Sequence, residues 1–322
     1  MALPDVFDSL RLPAIGAPLF IISNPDLVLE QCKAGIVGAF PALNARPQSQ
    51  LDEWLSYINE ELAAHNRANP DTPAAPYAVN QIVHRSNDRL ESDLESCVKH
   101  RVPIVITSLG AREDVNQATQ SYGGITLHDV INNRFARKAI EKGATGLVAV
   151  AAGAGGHAGT TSPFALVQEI RQWFGGPLAL SGAIATGDAI LAAQAMGADL
   201  AYIGSAFIAT HEARAADAYK AMIARCDSSD IVYSSLFTGV WGNYLKPSIK
   251  RAGMDPENLP ESDPSKMDFS SGSSKPKSWK EIWGSGQGIN AIKEIVSTAD
   301  LVDRLEREYL AARARLGLSM AK

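Results

Sequence analysis

The stretch AVAAGAGGHAGTTSPFALV, residues 149 to 167, ends an apolar run on four glycines and one histidine before a helix-like segment begins. Gly153, Gly155, Gly156 and Gly159 leave bare backbone, which lets a flat ring approach the chain closely. His157 is the side chain in that frame able to give or take a proton near neutral pH. A lone histidine is more often packed than working, but an ordinary core position needs no glycine frame. The other histidines, at positions 65, 84, 100, 128 and 211, lack such a frame. His128, at the end of an apolar run, is the one of these that merits inspection.

Two further segments suit an anion. In SGAIATGD, Gly182 and Ala183 precede a helix-like stretch, whose start offers unpaired N–H groups and the positive end of a dipole. In YIGSAF, Tyr202, Ile203, Gly204 and Ser205 repeat the arrangement. Either loop alone is explained equally well by a tight turn. Together, after the seventh and eighth apolar runs, they match the common phosphate site of an eight-unit barrel. Asn80 in YAVNQ offers an amide to a ring edge, although an asparagine at a strand end is also a common turn residue. Pro18 in IGAPLF sits, with Gly16, where a ring could stack. A flat ring with a phosphate, such as a flavin nucleotide, would use all of these.

The elements that must position these residues are legible as a repeat. The apolar runs PAIGAPLF, GIVGAF, YAVNQIV, VPIVITSL, GGITLH, TGLVAVA, PLALSG and LAYIGS show little alternation, as expected of parallel strands buried on both faces. Helix-like stretches separate them. Asn24-Pro25, Ser162-Pro163 and Thr186 read as helix starts, and Gly197 as a helix end. Eight strand–helix units predict an α/β fold, a (β/α)8 TIM barrel, over residues 1–211. An open doubly wound sheet would not need eight units.

Residues 212–284 break the pattern and read as an inserted subdomain or lid, irregular from Asp227 to Ser278. Trp241, Tyr244 and Lys246 are its candidates for lining a pocket, with plain subdomain packing as the alternative. Residues 285–322 resume helical periodicity and are expected to pack back on the barrel. The stripe in LVDRLEREYLAARARLG would serve equally to cover the barrel or to pair with a second copy in a homodimer.

The totals narrow the function. The chain has 322 residues, 46% hydrophobic and 20% charged, enough for a sizeable core. A net charge of −5 argues against a nucleic-acid partner. Cys32, Cys97 and Cys226 are far apart, which favours a reducing compartment and gives no metal-ligand spacing. There is no basic start followed by an apolar block, and no apolar run near the roughly 20 residues of a membrane span. A cytoplasmic protein without a membrane partner is expected.

The segments GAGGHAG, LSGAIATGDAILAAQAMGADLAYIGSAFIATHEA and SWKEIWGSGQGI resemble nitronate monooxygenases, once called 2-nitropropane dioxygenases. These are FMN-dependent barrels related to a flavin enoyl-acyl-carrier-protein reductase and to some NAD(P)H:quinone reductases. The resemblance covers nearly the whole chain and is weakest from about 212 to 275. It implies FMN as cofactor, with an alkyl nitronate or nitroalkane and O2 as substrates, and a carbonyl compound and nitrite as products.

By position, Asn80 resembles the asparagine near the flavin ring, and Gly155, followed by Gly156, the glycine whose backbone contacts FMN. Gly182 and the run Tyr202 to Ser205 resemble the phosphate grip, and His157 the active-site histidine. Gln287 and Gly288 resemble a Gly-Gln-Gly turn returning to the site. The chain departs from many relatives at Ala151, where they carry glutamine, and at Gly153, where they carry an acid. At Asp129 some carry lysine or serine. In this reading His157 removes the α-proton of a nitroalkane or hydrogen-bonds the nitro group of a nitronate. The alternative activity is an NAD(P)H-dependent flavin reductase of quinones or enoyl thioesters. A barrel that binds a phosphorylated ligand without redox work is the third reading.

Overall fold

A computed structural model of the chain describes residues 3–262 and 281–318. The eight apolar runs form eight parallel strands. They are β1 (Ala14–Gly16), β2 (Gly38–Pro41), β3 (Tyr77–Ile82), β4 (Ile104–Ser108), β5 (Ile125–Val130), β6 (Gly146–Val150), β8 (Leu178–Ser181) and β9 (Leu200–Ile203). β7 (Gly156–His157) is a two-residue strand outside this sheet. The spatial order is β1-β9-β8-β6-β5-β4-β3-β2. A parallel bridge between Ile15 and Val37 closes the ring, with Gly16 N donating to Val37 O at 2.8 Å. The expected TIM barrel is therefore the fold.

The strands are apolar throughout because both faces are buried. Ile15, Ala39, Ile106, Leu127, Val148 and Leu200 fill the barrel interior. The alternate residues meet helices. Phe40, Val79 and Val105 pack on Trp54, Leu55 and Ile58 of α2 (Gln50–Ala68). Leu147, Ala149 and Leu180 pack on Leu166, Val167 and Ile170 of α6 (Pro163–Arg171). Side chains alternate strictly along a strand, so the inward set continues to Asn80, Asp129, Ser181 and Tyr202 at the C-terminal mouth.

The expected helix signals act as read at three of four places. Asn24 Oδ1 accepts from Asp26 N at 2.8 Å and starts α1 (Pro25–Lys33). Thr186 Oγ1 accepts from Ala189 N at 3.2 Å at the start of α7 (Gly187–Met196). Gly197 ends α7 at φ 110°, where glycine is favoured. Ser162 makes no side-chain cap, and Pro163 alone marks the start of α6.

The remaining helices of the barrel's outer layer are α3 (Leu90–Lys99), α4 (Glu113–Gln120), α5 (Asn133–Glu141) and the one-turn α8 (Ser205–Ile208). Beyond them come α9 (Asp217–Arg225), the hairpin β10 (Ile231–Ser234) and β11 (Gly242–Leu245), then α10 (Lys246–Arg251). β11 also pairs antiparallel with β7. The insertion thus adds two strands to the backbone of His157. Its serine-rich end falls within residues 263–280, outside the described residues.

α11 (Thr298–Arg315) uses its apolar stripe within the chain. Leu301, Val302, Leu305 and Tyr309 join one core cluster with Leu191 of α7 and Ile203 of β9. Among the described residues no helix is long and apolar enough to cross a membrane.

Candidate active site

A cavity of about 690 Å³ opens at the C-terminal mouth of the barrel. That is the size of a cofactor or small-molecule site. Its floor is the topmost inward layer of the strands, including Asn80, Asp129, Ser181 and Tyr202. Pro18, Gly155, Gly156, His157, Gly182, Ala183, Gly204, Ser205 and Gly288 also line it. Two expected residues stand apart. Ile203 follows the inward Tyr202 and so turns outward, fully buried against the helix layer. Gln287 has an exposed side chain, but its N–H donates to Gly153 O at 2.9 Å and holds the returning turn against the glycine frame.

Gly155 of that frame and Gly288 of the returning turn leave no room for a side chain. A Cβ on Gly155 would lie 2.7 Å from Gly286 N, and one on Gly288 2.6 Å from Ala183 O. Gly286 N donates to Ser205 Oγ at 2.8 Å, tying the turn to the loop after β9.

His157 is held from the side by the insertion. Its strand β7 pairs with β11 in the register Gly242 to His157. Its Nε2 lies 3.0 Å from Thr238 Oγ1. Thr238 Oγ1 also lies 3.1 Å from Val240 O, which can take its proton; the hydroxyl oxygen then serves as acceptor for an Nε2–H of the imidazole. Burial lowers the histidine to about 4. At neutral pH it is an uncharged imidazole, able to take up a proton.

The floor holds a polar relay. Asn80 Nδ2 donates to Ile106 O at 3.1 Å and to Ser108 Oγ at 2.8 Å. Ser108 Oγ donates on to Asp129 Oδ2 at 2.6 Å. The amide nitrogen of Asn80 is thereby engaged, and its oxygen is the atom left to meet a ligand. Burial raises Asp129 to about 7, against the opposing donation from Ser108. His128 faces the other way. It is buried in the outer layer with Nδ1 2.6 Å from Thr107 Oγ1, and burial lowers it to about 4.

The anion site differs from the expected one in a particular way. The start of α7 is already capped: Gly187 N donates to Glu308 Oε2 at 2.8 Å, from α11. A carboxylate distant in sequence thus occupies the helix end that the local pattern offers to an anion. The loop amides remain. Among the described residues, the N–H groups of Gly182, Ile184, Gly204 and Ser205 donate to no protein group, and all four residues line the cavity. Ala183 holds a left-handed φ of 56° between them.

The insertion contributes different residues from those expected. Phe237 and Thr238 line the cavity. Trp241 is stacked on Tyr233 at 5.0 Å and exposed on its other side, Tyr244 is packed edge-on to Phe237 at 4.8 Å, and Lys246 pairs with Glu257 at 2.9 Å. These three pack the subdomain rather than the pocket. Ser108 and Thr238 escaped sequence reasoning altogether. Asp129 was visible as a departure from relatives, and strand parity from Leu127 would have placed it on the floor.

Most of the chain matches known proteins. Residues 38–308 match the family model described as nitronate monooxygenase. A nitronate monooxygenase of Paraburkholderia phytofirmans is 25% identical over 344 aligned positions, covering 92% of each chain. A probable nitronate monooxygenase of Staphylococcus haemolyticus is 25% identical over 211 positions, 60% of this chain and 56% of that protein. In that second case the chain spans little more than half of its relative. Among solved structures, a nitroalkane oxidase from Streptomyces ansochromogenes superposes with a TM-score of 0.82 at 22% identity, over 97% of this chain and 99% of that one. FabK from Thermotoga maritima superposes with a TM-score of 0.79 at 20% identity, over 97% of both. At these identities the two structures speak for the fold.

Proposed function

This chain belongs to the nitronate monooxygenase family, and on that premise we propose that it uses FMN and O2 to convert alkyl nitronates to carbonyl compounds and nitrite. The family makes it a flavin-dependent oxidoreductase of small molecules. The observation that carries the finer reading is the uncharged His157, fixed through Thr238 on the wall of a cavity with a polar floor and unpaired loop amides.

The residues fit the cofactor. The amides of Gly182, Ile184, Gly204 and Ser205 suit a phosphate, since backbone N–H groups hold an anion without a counter-charge. Gly155 and Gly156 give a ring a wall of bare backbone, and Pro18 gives it an apolar one. Asn80, with its nitrogen engaged, would offer its amide oxygen to a ring N–H. Bound there, FMN would supply the electron-accepting chemistry.

His157 then has one of two tasks. It takes the α-proton of a neutral nitroalkane, or it orients a nitronate that is already ionised. The second task needs no base. His157→Asn is accordingly expected to keep most nitronate turnover and to lose roughly a hundredfold or more on nitroalkanes. Equal loss on both would refute that division.

The decisive experiment is a visible spectrum of the purified protein, then anaerobic addition of propyl-2-nitronate and, separately, NADH and NADPH. A yellow protein bleached by nitronate and indifferent to the nicotinamides is expected. Bleaching only by NADH or NADPH would move the chain to quinone or enoyl thioester reduction. A colourless protein unable to bind FMN would overturn the flavin reading.

A further inference from the structure

The cavity floor carries one acid in an environment that does not suit an anion. Asp129 shows part of its surface to the cavity, while its Oδ1 is sealed from water and has no partner among the described residues. Its Oδ2 accepts from Ser108, the same hydroxyl that accepts from Asn80. Among the described residues no cation is paired with it. Arg89 lines another part of the cavity but is occupied by Asp93 at 3.0 Å and by the carbonyls of Ala45 and Ala42. Arg46 donates to Leu43 O at 3.0 Å and lies over the Phe20 ring.

We infer that Asp129 meets the flavin as a neutral carboxylic acid and donates its proton to an acceptor atom on the ring edge, beside the accepting oxygen of Asn80. This rests on the flavin reading above. A flavin edge presents N–H and carbonyl groups side by side. Asn80 and Asp129, bridged by Ser108, offer an acceptor and a donor in matching sequence. An ionised Asp129 would offer two acceptors to that edge and add a negative charge beneath a ring that gains electrons. A carboxyl kept neutral by its surroundings so that it can donate is an established use of such a site.

The consequence is a pH limit on occupancy of the ring site. Burial already holds Asp129 at about 7, so it loses its proton within the physiological range. The other titratable groups facing the cavity are His157, Tyr202, Tyr219, Arg46 and Arg89, and burial also raises Tyr219. His157 is uncharged above about 4, and Tyr202 is raised by burial and by the charge of Asp129. His128, next to Asp129 on β5, faces the helix layer and is likewise uncharged above about 4.

The test uses riboflavin, which has the ring but no phosphate to titrate. Its binding to flavin-free protein is followed by fluorescence quenching from about pH 5 to about pH 9. Affinity is expected to be level below about pH 7 and to fall about tenfold per pH unit above it. Asp129→Asn keeps a donor and cannot ionise, so its profile is expected to be flat. Ser108→Ala removes a donor to the ionised form, so the fall is expected at higher pH. A level wild-type profile, or the same fall in Asp129→Asn, overturns the inference. So does a carbon NMR titration of flavin-free protein in which Asp129 ionises near the ordinary value of about 4. Level binding of good affinity overturns this inference alone. Failure of riboflavin and FMN to bind at any pH overturns the flavin reading and this inference with it.

Discussion

His157 and Asp129 are both moved by burial toward their uncharged forms, with opposite consequences for stability. Asp129 rises from 3.8 to about 7, so the folded chain holds a proton there that the unfolded chain has lost. Its contribution is whole below about pH 4 and is lost as pH climbs to about 7, by at most about 4 kcal/mol. His157 and His128 fall from 6.5 to about 4, so theirs is whole above about pH 6.5 and is lost on acidification. The slopes oppose each other, so a difference between variants isolates the acid. In urea titrations Asp129→Asn is expected to gain on wild type from about pH 4 to about pH 7 and then hold a constant lead. A pH-independent difference would show that Asp129 titrates normally. Thr238 acts on the histidine's orientation. Thr238→Val keeps the shape and removes the acceptor, so nitroalkane turnover is expected to fall roughly tenfold with FMN affinity unchanged, checked by parallel kinetics and fluorescence. The Gly-Gly-His frame was legible from local composition. Thr238 was not, because its link to His157 spans 81 positions and no local pattern announces it.

At the scale of elements, the strands were legible because each is a short apolar run buried on both faces. Strand parity then carries the floor of the cavity with it. What stayed hidden are contacts that long connections bring together. The start of α7 reads as an anion site until α11 places Glu308 on it. The two-residue strand β7 has no signal of its own and exists through its pairing with β11. That pairing depends on Gly242, where a Cβ would lie 2.6 Å from Gly156 O. Gly242→Ala is expected to push the hairpin off β7 and misplace His157. Nitroalkane turnover should drop at least tenfold while the bound-flavin spectrum is retained, because the loops after β8 and β9 are untouched. Loss of flavin together with activity would mean that the hairpin supports the whole cavity instead.

The whole molecule decides whether the insertion is a separate body. The sequence divides the chain at residues 211 and 284, which suggests a barrel and an added subdomain. The packing joins them. Tyr219, Leu245 and Trp283 lie in one core cluster with Ala201 and Ile203 of the barrel and Leu305 of α11. Tyr219 stacks on Trp283 at 4.7 Å and gives its hydroxyl proton to Gly284 O. A smaller cluster around Phe237, Tyr244 and Ile249 belongs to the insertion alone, and Phe237 also lines the cavity. A ligand in that cavity would therefore touch both parts. Calorimetry should show one transition with matching calorimetric and van't Hoff enthalpies. FMN at about a hundred times its dissociation constant should stabilise the chain by about 2.7 kcal/mol and raise Tm by about 5 °C. Two transitions, of which only the higher responds to FMN, would show that the insertion unfolds on its own and that the flavin is held by the barrel loops. In that case the clasp on His157 would open before the cofactor leaves, and nitroalkane turnover would fail at a lower temperature than the flavin spectrum.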